Sequence, residues 1–331
     1  MECSIYNSAL SRIGFLSNFT SLVWCESYTG AGRFQIVAPK TEHSIPLLVD
    51  GNFVGIPGKD TLMFIQSTED KEGMIWAYGA EAKCLLDARV YQGTITVRKE
   101  VEPALRTVVA AANKYDFIGF APLRGLTART VSQRTYPTVF EVSRVWCDAV
   151  GYGFRLIHDK SAHKLLYDVY SGTERTGIKF AEQYGNLSGL TKLVSQADWR
   201  NVAYVGGAGE GADRIFIITG ATETTGILRR EMFVDARDIQ PEEGQTDSEY
   251  RELLVARGNE KLAEQNRVLE ISFDVSTRDF GKTFFLGDII TAVLPEYGMR
   301  LSVRVAEFTE IYENNILRTQ LTLGNPMIRG I

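Results

Sequence analysis

Few segments of this 331-residue chain combine the residue types and spacing that catalysis or ligand binding needs. Gly206-Gly207-Ala208-Gly209-Glu210-Gly211 follows a strand-like run and has the composition of a phosphate-cradling loop. Such a site requires a helix N-terminus after the glycines, because its unpaired N–H groups bind the anion. Here Arg214-Ile215-Phe216-Ile217-Ile218 continues as strand and no Walker lysine follows, so the run reads as a hairpin loop. His158 and His163, two of the three histidines, flank Asp159. Their spacing gives them opposite parity on a strand and misses the i, i+4 pattern of a metal-binding helix, so a polar turn accounts for them better. His43 has no neighbour in sequence that would make it a general base. No Gly-x-Ser-x-Gly elbow occurs. Cys3, Cys25, Cys84 and Cys147 stand singly, without zinc or disulfide spacing, and read as small buried hydrophobes. Catalytic, cofactor-binding and metal-ligating residues are therefore all predicted to be none, with no cofactor.

The densest charge lies in Arg229-Arg230-Glu231 and Asp235-Ala236-Arg237-Asp238, around the strand-like Met232-Phe233-Val234. Each acid has an arginine near it, and paired carboxylates keep low pKa values, so a salt-bridge network is a better reading than acid/base chemistry. Asp235, Arg237 and Asp238 are expected to pair with charges around Arg257 and to brace the C-terminal unit against a neighbouring domain or subunit.

The elements that must position these residues follow from periodicity. Residues 21–26 and 33–37 read as a hairpin, and 61–68 and 73–78 as a second pair joined by the solvated Glu69-Asp70-Lys71-Glu72. A helix begins at Glu102-Pro103, with the proline at a first helical position and Ala104, Leu105, Val108, Val109 and Ala112 on one face. A second helix runs 138–150, with Val139, Val142, Val145, Trp146 and Ala149 on one side, and ends at Gly151. Strands are expected at 154–158, 164–170, 202–205, 214–219 and 228–234. A third helix opens at Thr246-Asp247-Ser248-Glu249 and buries Tyr250, Leu254, Gly258 and Leu262. Gly258 costs about 1 kcal/mol relative to alanine in a helix interior, which implies a close backbone approach there. Four strands follow, at 268–275, 283–294, 301–312 and 316–323, with turns at 296–298 and 313–315. In 283–294, Phe285 and Val293 lie on one face and Phe284, Leu286 and Ile290 on the other, and both faces are apolar. A barrel interior covers only one face, so the other is expected to meet the third helix, another domain or another subunit.

The fold class is thus α+β and β-rich. An N-terminal β-unit spans 1–100, an α+β middle of two small domains spans 101–234, and a helix with a C-terminal β-unit spans 235–331. Hydrophobic residues at 44% and charged residues at 23% fit an ordinary globular chain. Lys+Arg 36 against Asp+Glu 41 leaves a charge of -5, which argues against holding nucleic acid by its phosphates. No apolar run reaches about 18 residues and the N-terminus lacks a secretory pattern, so cytosolic synthesis and no membrane insertion are expected.

Five segments resemble a known family in order and spacing. They are Ile5-Tyr6-Asn7 with Arg12-Ile13-Gly14, Ser21-Leu22-Val23-Trp24 and Gly32-Arg33-Phe34; Tyr204-Val205-Gly206-Gly207 with Gly209-Glu210-Gly211; Arg230 to Ile239; Tyr250 to Gly258; and Leu286-Gly287-Asp288-Ile289-Ile290. The chain resembles the baseplate hub-like, tail-tip hub proteins of long-tailed bacteriophages and prophages. That resemblance implies two tail-tube-like β-barrel domains with an inserted α+β portion, and a homotrimer that adapts a six-fold tube to three-fold tip components. The implied partners are the chain itself, the distal tail or tail-tube protein, the tape-measure protein and tail fibre or tip proteins, with DNA only in transit. The implied place is the virion tail tip after assembly in the host cytoplasm. The chain stops at 325–331, just after the last strand, so no lytic domain is expected. A carbohydrate-binding adhesin using aromatics such as Trp76 and Tyr78, or a cell-wall hydrolase, are the alternatives.

Overall fold

The computed structural model describes residues 1–266, 268–275, 280–295, 298–313 and 316–324. The N-terminal strands are β1 (Cys3–Tyr6), β2 (Arg12–Leu16), β3 (Ser21–Ser27), β4 (Arg33–Pro39), β5 (Phe53–Gly55), β6 (Met63–Lys71), β7 (Met74–Glu81) and β8 (Thr94–Glu100). Then come α1 (Val101–Ala112), β9 (Ile118–Phe120), β10 (Arg129–Thr135), α2 (Val139–Val150), β11 (Tyr152–Asp159), β12 (Lys164–Ser171), β13 (Glu174–Phe180) and β14 (Leu187–Ser195). The chain continues through β15 (Val202–Gly206), β16 (Phe216–Gly220), β17 (Glu231–Asp235), α3 (Asp247–Glu264), β18 (Val268–Val275), β19 (Ile289–Leu294), β20 (Met299–Glu313) and β21 (Ile316–Leu323). The fold is mixed α+β and strand-rich, as the periodicity predicts.

The two ends of the chain do not form separate sheets. One 13-stranded sheet runs β14-β18-β21-β20-β3-β4-β7-β6-β5-β1-β2, with β19 and β13 branching from β20. Among the described residues this path stays open and closes no barrel. The join is β20 against β3, antiparallel, with Glu307 opposite Ser27 and Glu313 opposite Ser21. β20 can serve several neighbours because it is 15 residues long. Its first part, through Arg304, pairs with β19, and its second part pairs with β21 and β3. A register shift between Val305 and Glu307 marks the change, the kind of irregularity that re-aims a strand.

Local signals set the helices. Thr138 Oγ1 accepts from Glu141 N at 3.0 Å to start α2, and Gly151 in the left-handed region, φ 73°, stops it. Val139, Val142 and Trp146 are buried against α1 and the β11–β12 hairpin, whereas Ala149 is exposed. In α1, Pro103 occupies the third helical position rather than the first. Thr246 and Glu249 form a reciprocal capping box at α3. A Cβ at Gly258 would lie 2.5 Å from Thr219 Cγ2 and 2.7 Å from Val205 Cγ2, which is the close approach its cost implied.

Four expectations need correction. First, Glu69, Asp70 and Lys71 extend β6, and the turn is only Glu72-Gly73, both at positive φ, the two-residue geometry that suits hairpin twist. Second, residues 283–294 are not one strand. Gly287 sits at φ 90° and the Asp288 carboxylate accepts from Phe285 N, so the chain turns before β19 starts at Ile289. Third, α3 packs on β15, β16 and β17 and shares a core with Ala203, Val205 and Val234, so it belongs with the strands before it rather than with the C-terminal strands after it. It does not cover β19. Fourth, β13 and β14 pair with β19 and β18, so 174–195 joins the C-terminal part of the sheet instead of the middle. The expected turns at 296–298 and 313–315 and the end at 325–331 lie wholly or partly outside the described residues.

Candidate assembly site

The β3–β20 seam holds a cluster of buried and largely buried charges. On β3, Leu22, Trp24 and Glu26 share one parity and all three are buried. On β20, Phe308 lies opposite Glu26, and Glu310 lies opposite Trp24. Lys59 places Nζ 2.5 Å from Glu26 Oε2 and 3.0 Å from Glu310 Oε2, so one ammonium holds an acid from each strand. Thr61 Oγ1 donates to Glu26 Oε1 at 2.7 Å. Burial pulls the Lys59 pKa down, but the two carboxylates outweigh it and hold it above the usual lysine value. The same ammonium sits 4.8 Å from the Phe308 ring centre.

A second buried pair lies beside it. Lys83 Nζ is 3.3 Å from Glu81 Oε1 and donates to the carbonyls of Ser27 and Phe154, while Glu81 accepts from Ser27 N at 2.7 Å. Burial pushes the Glu81 carboxyl up to about 7, against the opposing pull of Lys83. Tyr28, the residue after β3, completes the joint. Its hydroxyl accepts from Gly172 N at 3.0 Å and lies 3.1 Å from Gly151 O and 3.2 Å from Tyr170 O. Its ring fills the space over two glycines, where a Cβ would come within 2.3 Å at Gly153 and 2.2 Å at Gly287. Arg304 lies over that ring at 5.2 Å and donates to Gly287 O. The N-terminal strands, the β11–β12 hairpin and the C-terminal strands are thus fastened at one place, beside a cleft of about 910 Å³.

The residues singled out from sequence fall elsewhere. Arg237 is 64% exposed and pairs with Asp235, Nη2 to Oδ2 2.6 Å, and Asp235 also pairs with Arg214 at 2.7 Å. Hydrogen bonding to Arg237 holds the Asp235 carboxyl down at about 2. Arg257, by contrast, is buried; it reaches Asp238 at 2.9 and 3.1 Å and donates to Gln133 O on β10 at 3.1 Å. The cluster therefore divides into an exposed pair and a clamp whose guanidinium is buried between α3 and β10 while its Asp238 carboxylate stays 44% exposed. Asp238→Ala is expected to lower stability by about 1.5 to 3 kcal/mol, because the buried guanidinium loses its carboxylate. Arg237→Ala is expected to change it by under about 1 kcal/mol. Urea denaturation of both variants checks this; equal effects would mean that burial does not separate the two pairs.

Phe285 is 45% exposed in the turn before β19, with Arg175 5.8 Å from its ring. Val293 is half-buried in β19. Trp76 and Tyr78 stack 6.4 Å apart on β7 and are half-buried rather than exposed. The sequence reading missed Glu26, Lys59, Glu81, Lys83, Tyr28 and Glu310. The available signal was parity: Glu26 stands on the buried face of an otherwise apolar strand, where a charge needs a partner.

The histidines do not converge. His158 packs edge-on to Tyr6 at 4.7 Å and, among the described residues, neither ring nitrogen has a hydrogen-bond partner; burial lowers its pKa. His163 Nδ1 meets Leu10 O at 3.1 Å and His43 Nε2 meets Phe15 O at 2.8 Å. Gly207–Gly211 lies in the connection of the β15–β16 hairpin, as expected, but Gly206 is the last residue of β15 and β16 begins only at Phe216 rather than at Arg214. No described helix is long and apolar enough to cross a membrane.

Comparison with known proteins gives a consistent answer. The structure is similar over nearly its whole length to the tail protein from Neisseria meningitidis MC58, with TM-score 0.62, 14% identity, and 98% and 96% of the two chains covered. It is similar to the 43 kDa tail protein of prophage MuSo2 from Shewanella oneidensis, with TM-score 0.63, 11% identity and 98% of each chain covered. It is also similar to prophage tail protein gp18 from Listeria monocytogenes EGD-e, with TM-score 0.57, 10% identity, and 98% and 94% covered. The TM-scores, over nearly the full length of each chain, show a shared fold. No sequence among curated proteins matches. Residues 97–325 match a family in sequence, and that span holds the β20 half of the seam and the α3 clamp. With the fold of phage tail proteins and this match over more than half its length, the chain belongs to the Siphovirus ReqiPepy6 Gp37-like protein family.

Proposed function

We propose that this chain is a structural, non-enzymatic component of the phage tail tip, and that three copies form a hub around the DNA channel. The observation that carries this reading is the continuous sheet across β3 and β20. One chain thereby holds two β-arcs side by side in a fixed relation, and three chains supply six arcs to a six-fold tube. In this reading the N-terminal strands form one tube-like barrel domain. The C-terminal strands, with β13 and β14, form the other, and the middle portion serves the three-fold side. The buried ion pairs at the seam set the angle between the arcs, since a displaced strand would leave Glu26, Glu310 or Lys59 unpaired.

The corresponding partners are the distal tail or tail-tube protein on the six-fold side, the tape-measure protein within, and fibre or tip proteins beyond. A net charge of -5 suits a conduit through which DNA passes without being gripped. The site of action is the virion tail tip, reached by assembly in the host cytoplasm. Light scattering on the full chain, alone and with its tail-tube partner, tests this. Three times the 36.9 kDa subunit mass is expected, with a central opening in negative-stain averages. A monomer or dimer under both conditions removes the hub.

A further inference from the structure

The cleft of about 910 Å³ beside the seam is walled by three parts of the chain. Lys59 comes from the β5–β6 connection, Arg155 and Lys160 from the β11–β12 hairpin, and Arg175, Lys282 and Phe285 from β13 and the chain before β19. Five acids and five cations line it, but the two signs are not equally free. Every lining acid is engaged by a cation. Lys59 takes both Glu26 and Glu310, Lys83 takes Glu81, Arg155 takes Asp60, and Arg175 takes Asp288. Lys160 and Lys282 are exposed, and among the described residues neither has an ion pair or a hydrogen bond.

Arg175 adds geometry to that charge. Its Nε donates to Asp288 Oδ2 at 2.7 Å, and the same carboxylate accepts from Thr173 N at 2.7 Å and Phe285 N at 2.9 Å. Asp288 is 4% exposed, so a buried and fully engaged acid fixes the guanidinium by one edge. The Phe285 ring lies 5.8 Å from the guanidinium carbon. Among the described residues neither Nη has a hydrogen-bond partner, and the side chain is 37% exposed. The free Nη edge is a planar two-donor fork, which matches the two oxygens of a carboxylate. A cleft of this volume is at the upper end of the roughly 300 to 1,000 Å³ that encloses a whole ligand, so more than a lone ion fits. Phe280, Phe285 and Phe308 in its walls offer apolar surface to aliphatic stems. A phosphate polymer is held instead by many cations along its length, which a chain of net charge -5 with three free cationic groups in one cleft does not supply.

We propose that this cleft receives an acidic peptide segment of a neighbouring tail protein, with Arg175 gripping one carboxylate and Lys160 and Lys282 meeting others. The occupant touches the N-terminal strands' connection, the middle hairpin and the C-terminal part at once, so it stiffens the joint between them. The proposal goes beyond the hub reading and does not depend on three copies. Its test is calorimetric titration and thermal melting of the full chain with three probes: hexaglutamate, hexalysine and inorganic phosphate. The wild type is expected to bind hexaglutamate more tightly than phosphate, to melt higher in its presence, and to ignore hexalysine. Lys160→Gln with Lys282→Gln is expected to weaken hexaglutamate binding by about tenfold or more while leaving the melting of the free chain unchanged. Arg175→Lys, which keeps the charge and loses the fork, is expected to weaken it similarly. Lys99→Gln with Lys114→Gln, exposed away from the cleft, is the control and should bind as the wild type does. A wild type that binds no hexaglutamate, or a Lys160/Lys282 variant that binds it as the control does, overturns the proposal. So does phosphate or hexalysine bound as tightly as hexaglutamate. None of these results alters the subunit count on which the hub depends.

Discussion

Replacing Lys83 with methionine is expected to lower the unfolding free energy by about 3 to 5 kcal/mol, the cost of leaving a buried charge without its partner. Lys83 is 1% exposed and is shared among the Glu81 carboxylate and the carbonyls of Ser27 and Phe154, so one ammonium serves the seam and the middle hairpin together. Methionine restores the volume but none of these contacts. A denaturation midpoint within error of the wild type would show that solvent reaches the pair.

The pH dependence of the same pair has a definite sign. Burial raises the Glu81 pKa from 4.5 to about 7, so the folded state holds that proton more tightly than the unfolded chain does. The stabilisation from proton uptake is fully present below pH 4.5 and is lost as pH rises through about 7. Glu81→Gln is expected to remove this component, so the difference between wild type and variant should change between these limits and be flat above them. A constant difference across that window would mean that Glu81 does not titrate there.

Gly172→Val is expected to cost about 3 kcal/mol or more, at the severe end of overpacking, because the obstruction is backbone. A Cβ at residue 172 would sit 1.9 Å from Gly287 O and 2.1 Å from its carbonyl carbon, atoms that no rotamer change can move. Gly172 N also donates to Tyr28, and Thr173 N to Asp288 at 2.7 Å, so displacing this strand end opens the joint on two sides. Arg175 would lose its alignment with Asp288, now 2.7 Å away. Thermal melting and limited proteolysis check this, with first cleavage expected near the connection between β12 and β13. Wild-type melting and the wild-type cleavage pattern would show that the chain shifts there at no cost.

The features legible in the sequence are those whose hydrogen bonds close within a few residues. Thr138 and Gly151 bound α2, Thr246 and Glu249 open α3, and the Gly206–Gly211 hairpin returns β16 onto β15. Gly258 was readable as a close approach because a glycine in a helix interior costs stability unless space demands it. The α+β, β-rich class followed from the same local patterns.

Tertiary structure alone decided which edges meet. Nothing in the alternation of 21–27 or 299–313 says that these strands pair, because an apolar face is satisfied by any complementary neighbour. The same ambiguity misassigned α3, whose buried stripe fits a sheet on either side of it in sequence. The break in 283–294 depends on the Asp288 carboxylate, which accepts from Phe285 N and from Thr173 N, a residue 115 positions earlier. Among the charged residues singled out from sequence, Asp238 and Arg257 pair with each other within the subunit, whereas Arg237 stays with Asp235 in solvent. Charge spacing identified possible pairs, but burial, which sets their energy, is a property of the packed chain. Lys59 shows the limit most clearly: its two carboxylates are 33 residues before it and 251 after it, and only the fold brings them to one ammonium.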